Sequence, residues 1–214
     1  MSMQAGRLGK AMPKQARRTQ ADRREAAERR LLDAAIRLIA ERGIKGTTLG
    51  DVGEAAGYSR GLTAHHYKTK EGLLRAVVAE IHRRYRQRMA AAGPPAEGLK
   101  RLLATITTYL DVGVDVPASR ALHLIQKEAL TTQSEFRDIM RKFNRLSMAA
   151  IEKQIRIGIA AGEIRPDVDP VAQAALLLAS LRGARAQWLV APTDVDMEAV
   201  TAALIAHVRR AMAA

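Results

Sequence analysis

The sequence predicts an all-α protein of about nine helices. Along most of the 214-residue chain, apolar residues recur every three or four positions, which is the spacing of one helix face. No stretch alternates apolar and polar residues over a useful strand length, and no internal repeat is visible. Gly and Pro separate the periodic segments where helices must stop. A chain of this length can bury a sizeable core in one or two domains.

The first long helix is predicted over residues 25–42, and Gly43 ends it. Its apolar stripe consists of Leu31, Ala35, Leu38 and Ile39. Residues 1–24 lack an apolar face, so they are predicted to form a basic, disordered arm. Such an arm could lie along phosphates or enter the minor groove, or it could be a solvated tail. Both interpretations stay open for residues 1–15, and DNA contact is favoured for residues 17–24.

Two short helices are predicted between Thr47 and Lys70. Thr48 can cap the first helix, with Asp51 as its reciprocal partner three residues later. Gly57 ends this helix, because glycine tolerates the left-handed conformation that closes one. Ser59 can cap the second helix. Two short helices joined by a tight glycine turn form a helix-turn-helix, here over residues 48–67.

A fourth helix is predicted to begin near Lys70, with one face towards the core of this small domain. That face contains Leu74, Val77, Val78, Ile81 and Tyr85. Gly93, Pro94 and Pro95 follow, and they mark a boundary because proline does not continue a helix freely. The prediction is therefore a helix-turn-helix domain over residues 25–90 and a second helical domain over residues 91–214.

Every segment of the second domain is predicted to be helical. Thr132 and Glu135 form a capping-box pattern at the start of the longest one. Val171–Leu181 is apolar nearly all round and is expected to be buried. The predicted helices cover residues 96–112, 118–130, 133–161, 170–190 and 195–210.

The positive charge is concentrated in the first part of the chain. The net charge is +13, and residues 1–90 hold 20 Lys and Arg against 9 Asp and Glu. The remaining residues hold 15 against 13. This asymmetry is typical of a surface that binds nucleic acid. A charge that served only solubility would not need it.

Several classes of protein are not favoured. The chain has no Cys, which excludes disulfide scaffolds, thiolate metal sites and Cys nucleophiles. No phosphate loop, Rossmann glycine pattern or GxSxG elbow occurs, so no enzyme activity and no cofactor are expected. His65 and His66 diverge by about 100° on a helix, so they are not expected to share a metal ion.

A soluble, cytoplasmic protein is expected. The N-terminus has no apolar segment typical of a signal peptide. Val171–Leu181 is the longest apolar run without charge, and it is much shorter than the roughly 20 residues that a membrane-spanning helix needs.

Residues 25–85 resemble the DNA-binding domain of the tetracycline-repressor (TetR) family of bacterial regulators. The matching segments are LLDAAIRLIAERG at 31–43, TTLGDVGEAAGYSRG at 47–61 and HHYKTKEGLL at 65–74. Further on, AAGEIRPDVDP at 160–170 is similar to a helix junction of this family.

The resemblance implies that the second short helix reads double-stranded operator DNA. Base contacts are implied for the positions of Arg60, Leu62, Ala64 and His65. Backbone approach is implied at Gly61, and phosphate contacts at Thr48, Ser59, His66, Tyr67 and Lys70. Arg60 is the strongest candidate for base reading, with a phosphate contact as its alternative. Leu62 could pack on a thymine methyl or help the core. Ala64 stands where many members have Tyr, so no operator preference is transferred.

The resemblance also implies a homodimer, formed through the last two helices, and a small-molecule effector that releases a repressor from its operator. The residues that could line an effector cavity are Tyr109, His123, Gln126, Met140, Phe143, Met148 and Trp188. For each of them alone, a place in the core is the alternative. The alternative function is a DNA-organising protein that binds without sequence preference and senses no ligand, which would not need so large a second domain.

Overall fold

In a computed structural model that describes residues 20–91, 97–113, 115–131 and 135–214, the protein is all-α. Nine helices and no strand occur in these ranges, which confirms the predicted fold class. An isolated antiparallel bridge joins Ile164 to Ala213. The helices are α1 Gln20–Arg42, α2 Leu49–Ala55, α3 Arg60–Tyr67, α4 Lys70–Ala91, α5 Gly98–Leu110, α6 Val116–Thr131, α7 Glu135–Ala160, α8 Pro170–Val190 and α9 Met197–Met212.

The first helix begins five residues earlier than predicted. Residues 20–24 belong to α1, so the prediction of a disordered arm is wrong for them. Their side chains are exposed, and the Ala, Arg and Glu residues that follow are good helix formers, so no apolar face is needed to extend the helix outwards. The rest of the arm, the boundary at residues 93–95 and the capping box at Thr132 lie outside the described residues.

Two apolar cores hold the helices together. The first core joins α1, α2 and α4 to α6 and the start of α7, and its fully buried members include Leu31, Ile39, Leu74 and Ile125. Each such side chain contributes about 1.5–3 kcal/mol when it leaves water. Because α6 packs directly on α1, the helix-turn-helix part and the C-terminal part share this core.

The second core lies between α5, α7, α8 and α9, and it includes Leu102, Ile106, Ile155 and Leu181. The predicted burial of Val171–Leu181 on all sides is wrong for the single chain. Val171 and Leu176 are 56% and 52% exposed, because α8 has neighbours on only one side. Among the described residues, none of the helices is both long and apolar enough to cross a membrane.

Arg84 ties the two parts of the chain together. On α4 it donates to Glu80, with Nε 2.8 Å from Oε1. Its two terminal nitrogens reach Asp33 on α1 and Asp115 just before α6, the latter at 3.4 Å. Glu80 is only 7% exposed and also accepts from Arg83 at 2.6 Å. This network joins α1 and α4 to the residue that precedes α6, at the junction of the two parts.

Candidate nucleic-acid interface and ligand cavity

The helix-turn-helix is fixed by a capping box at its start. The amide of Asp51 donates to Oγ1 of Thr48 at 3.1 Å, and the amide of Thr48 donates to Oδ2 of Asp51 at 2.9 Å. This confirms the predicted box. Hydrogen bonds from Thr48 hold the pKa of Asp51 below its usual value. Asp51 is therefore a carboxylate at neutral pH and satisfies a free N–H group of the first turn.

The two short helices cross in direct contact. Gly57 turns the chain with φ at +78°, as predicted, and α3 then passes over Gly53 of α2. A Cβ at Gly53 would lie 2.7 Å from the backbone oxygen of Ser59. Ser59 occupies the N-cap position of α3 but makes no side-chain capping bond, so that predicted cap is wrong.

One face of α3 is open to solvent. Arg60, Gly61, Ala64 and His65 are exposed, and Thr63 on the opposite side is fully buried. The four exposed residues are therefore placed together on one face. Leu62 and His66 are half-buried at its margins. For Leu62, packing on a thymine methyl and a contribution to the core both stay open. Thr48 and Ser59 are exposed nearby, and Lys70 is half-buried at the start of α4.

Arg60 has an intramolecular partner on this face. Its Nε donates to Oε1 of Glu54 on α2 at 2.5 Å, and both side chains are exposed. This hydrogen bond raises the pKa of Arg60. The guanidinium is therefore held across the two helices, and its other nitrogens remain available.

Tyr67 does not fit its predicted role. Its hydroxyl is buried, has no hydrogen-bond partner among the described residues, and its ring packs on the first core. Burial raises the pKa of this phenol. The hydroxyl does not face the surface on which a phosphate would lie, so the predicted phosphate contact is wrong for this conformation.

Lys68 is a candidate that the sequence interpretation missed. It is exposed after the end of α3 with φ at +59°, and the amide of Thr69 donates across it to the oxygen of Tyr67 at 2.6 Å. This is a γ-turn of the strained type, which rarely holds a residue with a side chain. The only signal in the sequence is a basic residue directly after the recognition helix.

A second candidate site is a cavity of about 410 Å³ between α4, α5, α6, α7 and α8. Tyr85 and Met89 of α4, Leu102 and Tyr109 of α5, and Phe143 of α7 form part of its wall. Burial raises the pKa values of both tyrosines. This volume lies within the range of small-molecule sites in proteins.

Two of the seven predicted effector residues line this cavity, namely Tyr109 and Phe143. The ring of His123 lies between the oxygens of Ser119 and Arg182, at 2.8 and 3.2 Å, and so bridges α6 and α8. The others lie elsewhere. Gln126 is half-buried on α6, Met140 is in the first core, and Met148 and Trp188 pack against the second core.

The sequence interpretation missed several residues of the wall. His82, Tyr85 and Arg88 line the cavity from α4, and Arg182 lines it from α8. Burial lowers the pKa of His82, whose ring meets Phe143 edge-on with centroids 5.6 Å apart. The spacing of the three α4 residues could have placed them on one helix face, but it could not show what that face encloses.

No group of three or more His, Asp or Glu residues in the described part of the chain could hold a metal ion.

Comparison with known proteins identifies both parts of the chain. Residues 31–77 match the family described as bacterial regulatory proteins, tetR family. Residues 98–213 match the C-terminal part of BetI-type transcriptional repressors. The HTH-type transcriptional repressor KstR2 of Rhodococcus jostii is 31% identical over 146 residues, covering 65% of this chain and 68% of that protein. BetI of Burkholderia thailandensis is 27% identical over 154 residues, covering 64% and 78%.

Solved structures share the fold. A TetR-family regulator from a Rhodococcus species matches with a TM-score of 0.80 and 26% identity, over 88% of this chain and all of that one. A regulator from Saccharomonospora viridis, solved in complex with choline, matches with a TM-score of 0.75 and 22% identity, over 89% and 99%. The second match shows the fold alone. Taken together with the helix-turn-helix and its exposed α3 face, these matches show that the chain belongs to the TetR family of bacterial regulators and is a DNA-binding transcriptional regulator.

Proposed function

We propose that the protein is a repressor that reads its operator with the exposed face of α3 and leaves it when a small molecule fills the cavity. The observation that carries the DNA-reading half is the placement of Arg60, Gly61, Ala64 and His65 on one open helix face. A helix fits the major groove, where base edges carry a distinct pattern of donors and acceptors. The small residues Gly61 and Ala64 permit close approach.

The proposed contacts divide by chemistry. Arg60 and His65 offer N–H donors to base edges, and Thr48, Ser59, His66 and Lys70 are proposed to contact the phosphates that flank the groove. Lys68 is added to this phosphate set, because it is exposed and basic at the end of α3. Tyr67 is removed from it.

The test of DNA reading is a pair of substitutions at the Arg60–Glu54 contact. We expect Arg60→Ala to weaken operator binding about tenfold to a hundredfold and to relax preference at one position in each half-site, because a bidentate guanidinium contact is lost. We expect Glu54→Gln to strengthen binding roughly threefold, because a competing exposed partner of Arg60 is weakened. Electrophoretic shifts on the upstream DNA of the gene and on random DNA measure both.

Random DNA serves as the control in these shifts. If Arg60→Ala weakens operator and random DNA equally, Arg60 contacts only phosphate. If the unmodified protein binds both DNAs with equal affinity at matched salt, the protein organises DNA without sequence preference, and the proposed repressor function is wrong.

The proposal includes a homodimer formed through α8 and α9. The outer face of α8 is exposed and made of apolar or small residues, and α9 has a similar face. Apolar helix faces without a neighbour are typical of subunit interfaces, and a twofold axis would pair each face with its copy. The exposed residues are Ala172, Leu176, Ala179 and Gly183 on α8, and Ala199, Ala202 and Ala203 on α9.

We expect Leu176→Glu to convert the dimer into monomers, because each twofold interface would bury two carboxylates without partners. Light scattering of the purified protein measures the mass. Leu130→Glu is the matched control, since Leu130 is 79% exposed on α6, outside the proposed interface. Leu177 and Leu181 do not suit this test, because they are buried within one chain and a charge there would unfold it. An unchanged dimer mass for Leu176→Glu would remove this face from the interface.

The ligand-responsive half of the proposal is supported by how the cavity is placed. Helix α4 begins three residues after α3 ends and forms one wall of the cavity. Asp115 lines the cavity and contacts Arg84, which also holds Asp33 on α1. A ligand that favours one arrangement of these helices therefore shifts the position of α3, and operator must weaken ligand binding by the same factor.

The similar regulator from Saccharomonospora viridis was solved with choline, so this fold accommodates a small molecule. Choline itself is not proposed for this protein. It is a cation, and the cavity wall described here already carries several cations.

A further inference from the structure

The cavity has an excess of positive charge. Five cationic residues line it, and Asp115 is the only carboxylate among the described lining residues. The cationic residues are Arg86, Arg88, Arg101, Lys153 and Arg182. Asp115 does not neutralise them, because its Oδ2 lies 3.4 Å from Nη1 of Arg84, within the network that also includes Glu80 and Asp33.

Arg182 is the most deeply placed of these cations. It is 9% exposed, and in the described residues its side-chain partners are neutral groups and not carboxylates. Its Nη1 donates to Oδ1 of Asn144 at 2.7 Å, and the phenol of Tyr109 interacts with the guanidinium, but Nη2 is buried without a hydrogen bond of ordinary geometry. Burial lowers the pKa of this guanidinium, which remains protonated in proteins. A buried charge without a counter-ion is costly, so the site favours an anion.

Arg88 adds a second unsatisfied donor to the same cavity. Its Nε is buried without a partner among the described residues. By contrast, Arg86 and Lys153 of the same wall are exposed. The buried charge without a partner is therefore that of Arg182 and Arg88, whereas water and salt screen the charge of the exposed cations.

Two aromatic rings of the wall already have a guanidinium over one face. The guanidinium of Arg88 lies over the ring of Tyr85, 5.9 Å from its centroid. That of Arg182 lies over Phe143 at 5.4 Å. A quaternary ammonium ligand needs open ring faces, which attract cations through their negative potential. Two of the three large rings of this cavity already carry a cation of the protein itself.

We infer that the effector is an amphipathic carboxylate whose head group binds Arg182 and whose hydrocarbon body lies on the apolar wall. Leu102, Leu122, Ile151 and Leu178 supply that wall. The guanidinium fork matches the two oxygens of a carboxylate. Since each water-sized group takes about 30 Å³ in the liquid, a cavity of this size holds on the order of a dozen non-hydrogen atoms. This inference rests on the proposed ligand response.

The test uses three probes that have the same ten-carbon chain and different head groups. Decanoate is an anion, decan-1-ol is neutral, and decylamine is a cation at pH 7. Isothermal titration of the full chain measures each dissociation constant at one ionic strength. We expect decanoate to bind at least about tenfold more tightly than either of the others, as a charge-assisted pair in a buried site requires.

Two variants locate the preference. We expect Arg182→Met, which keeps the length of the side chain and removes its charge, to lower decanoate affinity about tenfold or more and to leave decan-1-ol binding within about threefold. Arg86→Gln is the matched control, because it removes an exposed cation of the same wall, and its effect on decanoate should stay below about threefold. Circular dichroism and a melting curve verify that both variants are folded.

Several outcomes would overturn the inference. Equal or tighter binding of decan-1-ol or decylamine would do so, as would binding of none of the three probes, or a decanoate preference that survives Arg182→Met. The proposed function fails separately. If decanoate binds with the expected preference but its affinity is the same with and without saturating operator, the cavity selects anions and the ligand is not an inducer.

Discussion

Replacing Gly53 with Ala should nearly abolish operator binding, although it adds a single methyl group. The new Cβ would lie 2.7 Å from the oxygen of Ser59, 3.0 Å from Oγ1 of Thr63 and 3.3 Å from Cα of Arg60. Two of these atoms belong to the backbone, so α3 itself must move away from α2. Overpacking of this kind costs about 1–3 kcal/mol. Because the operator complex requires the original position of α3, it must bear this strain, and the upper end corresponds to a loss of about a hundredfold in affinity.

The movement of α3 matters more than the lost stability. Arg60, Ala64 and His65 read DNA only if α3 keeps its position relative to the α2 residues that contact phosphate. Electrophoretic shifts on operator measure the effect, and a melting curve shows whether the rest of the chain stays folded.

Gly50→Ala is the matched control for Gly53→Ala. Gly50 is on the same short helix, and the three atoms nearest to a Cβ there belong to the side chains of Arg60 and Thr48, at 3.6 Å or more. We expect its operator affinity to change less than about threefold and its stability to rise by up to ~1 kcal/mol, since Ala is the better helix former. If both variants bind operator equally well, the close crossing at Gly53 is not what positions α3.

The helix-turn-helix could be predicted from the sequence because its signals are local. The reciprocal hydrogen bonds of Thr48 and Asp51 require only a spacing of three residues. The turn at Gly57 has a left-handed backbone conformation that other residues rarely adopt, so the glycine itself predicts the turn. The prediction was wrong for Tyr67 and for the hydroxyl of Ser59. Both are typical polar groups of such motifs, and whether their oxygens face solvent depends on how the second helix sits against α1 and α4.

The cavity could not be predicted in the same way, because five helices contribute to it. Periodicity places Met140, Met148 and Trp188 on apolar faces, but it does not say whether a face meets another helix or an empty space. Only Tyr109 and Phe143 of the predicted set line the cavity. Arg182 was missed because an arginine at the end of an apolar run is ordinarily a solvated residue.

Helix α8 shows a third limit of the sequence pattern. Its apolar residues on all sides indicated burial, and the single chain covers Leu177 and Leu181 but not Leu176. A hydrophobic pattern reports that a face avoids water, and does not distinguish a core of the same chain from a second subunit. The exposed face of α8 is consistent with the proposed dimer, which the Leu176→Glu measurement tests.

The second large effect is expected from Glu80→Gln, which should lower the free energy of unfolding by about 3 kcal/mol at pH 7. Glu80 is 7% exposed and accepts from Nε and Nη2 of Arg83 at 2.6 and 2.7 Å, and from Nε of Arg84 at 2.8 Å. Gln keeps the size of the Glu80 side chain and removes its charge. Its NH₂ group, which cannot accept a hydrogen bond, would face the N–H donors of Arg83 or Arg84. Urea unfolding measures the difference.

Low pH should reduce the difference in the free energy of unfolding between the unmodified protein and the Glu80→Gln variant. Hydrogen bonds from Arg83 and Arg84 hold the pKa of Glu80 below its ordinary value of 4.5. The carboxylate therefore contributes stability above about pH 4.5, and this contribution is lost as the pH falls through the lower folded-state value. The Gln variant has no such group, so the two stabilities should converge at low pH. A difference that stays constant down to pH 3 would mean that the substitution disturbs packing and not charge.

Glu152→Gln is the control for burial, because it removes the same charge from an exposed ion pair. Glu152 pairs with Arg156 on α7 through two hydrogen bonds at 2.9 and 2.7 Å, and this pair is much more exposed than the one at Glu80. Its removal should cost less than about 1 kcal/mol. A larger loss at Glu80 than at Glu152 would show that the junction of α1, α4 and α6 depends on a buried carboxylate.

Arg84, which pairs with Glu80, also reaches Asp115 in the cavity wall. The Glu80→Gln variant should therefore also reduce the factor by which operator weakens decanoate binding.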